Sequence, residues 1–198
     1  MTSDSTRCDW CHGDTLYRTY HDEVWGVPCF DDDQLFEFLL LEGAQAGLAW
    51  ITVLRKQENY RQAFDDFDAE KIARYDEKKL EALRHNSGII RNKLKIASAV
   101  QNAQAFLAIK EKHNSFSDYL WQFVDGQAKQ NHFASMAEIP ALTPESERMS
   151  KSLKKAGFNF VGPTICYAYM QACGLVNDHI TSCYRHNQCA AMAQDQAL

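Results

Sequence analysis

Leu39-Leu40-Leu41-Glu42-Gly43-Ala44-Gln45-Ala46-Gly47-Leu48-Ala49-Trp50 sets one carboxylate inside an otherwise apolar run. Phe36 and three leucines precede Glu42, and Leu48, Trp50, Ile51, Val53 and Leu54 follow it, so both flanks read as core. Burying an unpaired charge is expensive, and this one needs an explanation. Gly43 and Gly47 interrupt the helical pattern; they predict a helix, a tight corner and a second helix, with Glu42 near the end of the first. A side chain at such a corner can face a cavity. The plainer alternative is a helix-end glutamate that turns back to water or caps a neighbouring amide.

Outward from this corner the chain reads as helix after helix. Asp31, Asp32 and Asp33 are candidate N-caps for the segment leading into Glu42, and a second helix is expected from about Leu48 to Phe64. Asp68 and Asp76 look like caps for short helices at Ala69 to Arg74 and Glu77 to His85. A glycine-containing turn at Asn86 to Arg91 then joins a longer helix reaching about Ile109. Gly88 allows close approach of a phosphate, and Arg91, Lys93 and Lys95 add positive charge beside the amides that open that helix. An ordinary helical hairpin with a solvated basic edge would look the same. Phe116 to Val124, Thr143 to about Gly157 and the apolar Val161 to Cys173 complete the helical set, with Lys151, Lys154 and Lys155 as a second basic cluster. No strand pattern of any length appears, so the fold class is all-α.

The 198 residues, 45% hydrophobic and 12% aromatic, suffice for one compact unit over 1–198 with room for a small second lobe. The tail from Arg185 to Leu198 shows no readable pattern and is expected to be mobile. No apolar run approaches the length of a membrane helix, so no membrane partner is expected. No secretory signal is visible at the N-terminus, and seven cysteines, an odd number, suggest reduced thiols or metal ligands in a cytoplasmic protein. A formal charge of -5 excludes binding of polyanions by bulk charge alone, so any nucleic-acid contact must be local.

His179 and Cys183 are four apart, which on a helix places both side chains on one face with metal-site spacing. Cys8 and His21 can supply the other half of a tetrahedral Cys2His2 zinc site pinning the N-terminal segment to the C-terminal end, although Cys11 and His12 are rival ligands. Four protein ligands leave no position for a catalytic water, so such a zinc is structural.

Tyr17 to Val27 (YRTYHDEVWGV), Leu41 to Leu54 (LEGAQAGLAWITVL), Ser87 to Ile96 (SGIIRNKLKI) and Ser152 to His179 together resemble the DNA-3-methyladenine glycosylase I family. The resemblance runs in order from Cys8 to Cys183. It implies an all-helical member of the helix-hairpin-helix DNA glycosylase superfamily, with the hairpin at Asn86 to Arg91. It further implies one structural zinc per chain on Cys8, His21, His179 and Cys183, a base-binding and catalytic glutamate at Glu42, and pocket aromatics at Trp10, Tyr17, Tyr20, Trp25 and Trp50. Leu48 is the candidate wedge into the duplex. The implied reaction is hydrolytic release of 3-methyladenine from alkylated double-stranded DNA by a monomer, leaving an abasic site without strand cleavage. Many members of the superfamily carry a catalytic aspartate after the hairpin helix; here that region holds Lys110, Glu111 and Lys112, and Asp118 reads as a helix-start residue. Two other readings stay open: a zinc-stabilised DNA-binding module without chemistry, and a glycosylase that also takes 3-methylguanine or 7-methylguanine.

Overall fold

The computed structural model describes residues 6–195. Its order is α1 (Thr15–Glu23), α2 (Asp32–Gln45), α3 (Trp50–Leu54), α4 (Gln57–Ala63), α5 (Ala69–Ile72), α6 (Glu77–His85), α7 (Lys93–Lys112), α8 (Phe116–Trp121), α9 (Pro144–Lys155), α10 (Pro163–Ala172) and α11 (Tyr184–Asp195). None of these helices is long and apolar enough to cross a membrane. Among the described residues the one departure from helix and loop is a parallel pair of two-residue strands, β1 (Lys129–Gln130) and β2 (Val176–Asn177).

The helix starts follow local side-chain chemistry. Asp31 accepts from the Gln34 amide, Asp68 from Lys71, Asp76 from Lys79, and Thr143 forms a reciprocal capping box with Ser146. Asp32 is put to a different use: its carboxylate accepts from the amides of Phe116 and Ser117, 84 and 85 residues away in the chain, and so caps α8. The segment expected as one helix from Leu48 to Phe64 is two, α3 and α4, broken at Arg55 and Lys56.

Helix α2 is the centre of the molecule. Leu35, Phe36, Leu39 and Leu41 are all at most 1% exposed, so it is buried on more than one face, against α7, α8 and α10. Truncating Leu39 to alanine would cost about 2 to 5 kcal/mol. Gly43 does not break α2; it lies inside the helix, where an added Cβ would sit 3.4 Å from Phe160 Cβ, and so serves close packing. The corner comes at 46–49 instead. Gly47 takes φ +81, and the Gln45 side chain closes the turn by donating to the Leu48 carbonyl.

The hydrophobic interior has two parts. The larger surrounds α2, α7 and α10. The smaller contains Cys8, Tyr20, Trp25, Leu54, Ile180 and Cys183, where the N-terminal segment meets the C-terminal end, and Trp50 and Phe38 pack against both. Of the stretch expected to be a mobile tail, residues 185–195 are helical and 196–198 lie outside the described residues; α11 buries Arg185, His186 and Cys189. Its order comes from tertiary contact, for Asn177 donates to the His186 carbonyl at 2.9 Å and His186 Nε2 lies 2.8 Å from the Asn131 carbonyl.

Candidate active site and metal-binding cluster

Trp10, Tyr17, Tyr20, Trp25 and Trp50 line one cavity of about 280 Å³ together with Glu42. These six residues come from three separated parts of the chain. Trp10 lies in a short turn held by Cys8, while Tyr17 and Tyr20 are one turn apart on α1. Trp25 follows α1, Glu42 lies in the last turn of α2, and Trp50 opens α3. Edge-on and tilted ring contacts lock them together: Trp10 to Tyr17 at 5.3 Å, Trp10 to Trp25 at 5.2 Å, and Tyr20 to Trp50 at 5.5 Å between centroids. The Tyr17 hydroxyl accepts from the Ile51 amide at 3.0 Å, tying α1 to the start of α3.

Glu42 is 4% exposed and has neither a hydrogen bond nor an ion pair with any described residue. Removal from water alone pushes its carboxyl up to about 8. Nearby, the Trp50 Nε1 donor is buried with no partner. A buried acid without a counter-charge, facing a cavity whose wall residue Trp50 holds a buried N–H without an acceptor, constitutes unspent recognition capacity. The cavity also has four lining residues that sequence reading did not single out: Gln45, Met136, Ala168 and Gln171. Gln45 was findable, since it sits three residues after Glu42 on the same helix face. The other three carry no local signal.

The residues expected to touch DNA divide into two groups. Arg91 and Lys93 are exposed beside the α6–α7 turn, and Leu48 is 37% exposed on the 46–49 corner. Lys95 departs from expectation: its ammonium donates to the Ala44 and Ala46 carbonyls at 2.8 and 2.7 Å, binding the end of α2 to the start of α7. It is therefore committed to the fold, with burial lowering its affinity for the proton. Gly88 approaches protein closely, because a Cβ there would meet Asn86 Oδ1 at 3.0 Å and Asn59 Cβ at 3.2 Å. Lys56 donates to the Ser87 and Gly88 carbonyls, so the turn is strapped down from the junction between α3 and α4. The first amides of α7 are partly occupied by the Asn92 side chain, which accepts from Leu94 and Lys95.

Cys8, His21, His179 and Cys183 are all buried, with ligand atoms within 4.8 Å of one another, a group that could hold a metal ion. His179 and Cys183 are not on a helix as expected; they flank a tight turn in which the Cys183 amide donates to the Ile180 carbonyl at 2.8 Å. The turn achieves the convergence that a helical turn would have. Sulfur to nitrogen separations are 3.7 Å for Cys8 and His179, 3.5 Å for Cys183 and His21, and 3.6 Å for Cys183 and His179. Tetrahedral bonds of about 2.3 Å to sulfur and 2.0 Å to nitrogen place such atoms roughly 3.6 Å apart. The outer ring nitrogens are also engaged: His21 Nδ1 faces Asp22 at 2.8 Å and His179 Nε2 faces the Trp25 carbonyl at 2.9 Å. Those partners take the N–H of each ring and leave the other lone pair for the cluster. Burial would raise the Asp22 carboxyl, but hydrogen bonds from Arg7, His21 and Tyr184 bring it down to about 2. Within the cluster, Cys183 is held well below the ordinary thiol range by hydrogen bonding to Cys8 first and then to His179 and His21. Cys11, the rival ligand, directs its thiol to the Cys8 carbonyl at 3.1 Å. The cluster and the cavity share a wall, since Trp25 packs edge-on to His179 at 4.6 Å.

The methyladenine glycosylase family model matches residues 10–186. A relative from Escherichia coli (strain K12), DNA-3-methyladenine glycosylase 1, is 50% identical over 177 residues, covering 89% of this chain and 95% of its own. Among solved structures, a 3-methyladenine DNA glycosylase I superposes with a TM-score of 0.89 at 54% identity, covering 90% of this chain and 98% of that one. The Staphylococcus aureus 3-methyladenine DNA glycosylase I, whose structure concerns recognition of 3-methyladenine, gives 0.87 at 35% identity, covering 90% and 95%. On its fold, on its cavity and on the length of chain matched, this protein belongs to the methyladenine glycosylase family.

Proposed function

We propose that this chain is a DNA base-excision repair glycosylase that extrudes 3-methyladenine from alkylated double-stranded DNA and releases it by hydrolysis, leaving an abasic site. The observation that carries the reading is Glu42, buried and unpartnered among described residues in a cavity walled by aromatic rings. Methylation at N3 places a positive charge on an adenine still attached to deoxyribose, which makes the base a good leaving group. Water forms a bond to the anomeric carbon as the glycosidic bond breaks; that bond's electron pair passes to N9 and neutralises the ring, and the water's proton goes to solvent. The protein's task is therefore extraction and selection, at a cost of a few kcal/mol that a damaged pair reduces.

The aromatic walls supply stacking of about 1 to 3 kcal/mol and attract a cationic ring further. With its carboxyl near 8, Glu42 is mostly protonated in the empty cavity at neutral pH, and a cationic base draws it back to carboxylate. A neutral adenine has no such charge, so the electrostatic gain goes to the methylated base. Glu42 acts by binding and electrostatics, since an activated leaving group needs little general-base help. No lysine lines the cavity, in keeping with hydrolysis without a Schiff base or strand cleavage.

In this reading α6, its turn and α7 form a helix-hairpin-helix element that meets the phosphate backbone through Arg91, Lys93 and the Gly88 turn. Leu48 on the adjacent corner enters the gap left by the extruded base. Cys8, His21, His179 and Cys183 would hold one structural zinc per chain that pins the wall containing Trp25 and closes the N-terminal segment onto the C-terminal end. The chain acts as a monomer in the cytoplasm.

The test is chromatography of free bases released from methylated duplex DNA by the native protein, Glu42→Gln and Glu42→Ala. The native protein is expected to release 3-methyladenine and little 7-methylguanine, and both variants to lose about 100-fold or more while remaining folded. Equal turnover by Glu42→Ala would overturn the role assigned to this carboxylate.

A further inference from the structure

Gln171 and Ala168, one turn apart on α10, both line the cavity that contains Glu42. The Gln171 backbone is fixed, its carbonyl accepting from the amides of Gly26 and Gly174. Its side chain is fixed as well: Nε2 donates to Asp178 Oδ2 at 2.8 Å. Asp178 is 1% exposed, and it also receives the Tyr167 hydroxyl at 2.6 Å and Asn131 Nδ2 at 2.7 Å. No cation pairs with it among the described residues, so three neutral donors converge on one buried carboxylate. A carboxylate only accepts, which dictates the orientation of the amide: the nitrogen of Gln171 must face Asp178, and the oxygen must face away from it. That oxygen has no partner among the described residues.

Resting on the glycosylase reading, we propose that Gln171 is a specificity-determining residue: its side-chain oxygen, aimed by Asp178, accepts from the exocyclic amine of a 6-aminopurine and opposes a 6-oxopurine. With Glu42 it gives the cavity two acceptors and places them where an amine is rewarded. A 6-oxo group would bring lone pairs against lone pairs, and a site built to hydrogen-bond an N–H rejects the analogue lacking it more strongly than apolar walls can. The aromatic rings select for a flat cation; Gln171 selects which edge that cation presents.

The experiment measures the rates at which native protein, Gln171→Met and Gln171→Leu release 3-methyladenine and 3-methylguanine from the same alkylated duplex. Zinc content and melting temperature are followed in parallel. The ratio of the two rates is expected to fall about tenfold in both variants. A purely structural bridge to Asp178 would lower both rates together and leave the ratio unchanged, and that result would overturn the inference alone. Native protein releasing neither base would overturn the glycosylase reading, and this inference with it. A measurement that needs no variant is inhibition of the native enzyme by free bases. 3-Methylhypoxanthine, with oxygen at the 6 position, is expected to inhibit about tenfold more weakly than 3-methyladenine, and equal inhibition would contradict the role given to Gln171.

Discussion

Replacing Glu42 by glutamine should stabilise the protein while disabling it, and the size of the effect should depend on pH. The carboxyl is pushed from 4.5 to about 8 by burial, with no neighbouring cation to offset the loss of water. The folded state thus holds this proton more tightly than the unfolded chain. The contribution is fully present below about pH 4.5 and is lost as pH rises toward 8, because unfolding then allows the acid to ionise in water. Worked through linkage, the ionisable side chain costs the fold about 1 kcal/mol at pH 5, about 3 kcal/mol at pH 7 and about 5 kcal/mol at pH 9. Glutamine matches the shape and polarity of the protonated acid and has no proton to lose. Urea denaturation of the native protein and Glu42→Gln at these three pH values isolates the term, because every other titrating group is common to both. The variant is expected to gain stability progressively with pH and nearly to coincide with the native protein at pH 4 to 5. A constant difference across the range, or a variant less stable at pH 9, would refute the claim that Glu42 sits uncompensated in a dry cavity.

The remaining expectations concern the walls, the cluster and the DNA face. Trp50→Ala should weaken binding of free 3-methyladenine by about 1 to 3 kcal/mol, measured by calorimetry, with little change in zinc content. Elemental analysis should find one zinc per chain; chelation or Cys183→Ser should lower the melting temperature of the whole protein, and free alkylation of Cys8 and Cys183 in the purified, unchelated protein would argue against the site. Arg91→Ala and Lys93→Ala should each reduce the slope of log affinity against log salt for duplex DNA by about 1. Lys95→Met should leave that slope unchanged and instead lower thermal stability, since its ammonium is spent on Ala44 and Ala46.

Much of this was legible because the chemistry is local. Asp31, Asp68, Asp76 and Thr143 announce helix starts by their own hydrogen-bonding capacity, and a carboxylate among leucines is conspicuous wherever it lies. The Cys and His cluster was reached through family resemblance, yet its local geometry was not: four-residue spacing suits a tight turn as well as a helix, and His179 and Cys183 use the turn. What stayed hidden depends on tertiary contact. Nothing near Lys95 indicates carbonyls 49 and 51 residues away in the chain. Gln171, Met136 and Ala168 are neutral side chains on separate segments, and only the fold brings them to the cavity. The α11 helix escaped notice because its buried faces include Arg185 and His186, which a hydrophobic pattern does not reveal.

The most direct test of the central claim, that Glu42 receives a methylated adenine within the aromatic cavity, is a crystal structure of the native protein with 3-methyladenine bound. The base should lie flat against the rings lining that cavity, with a Glu42 oxygen about 3 Å from a nitrogen on its edge. A base bound elsewhere, or a Glu42 side chain turned to solvent in the complex, would contradict it.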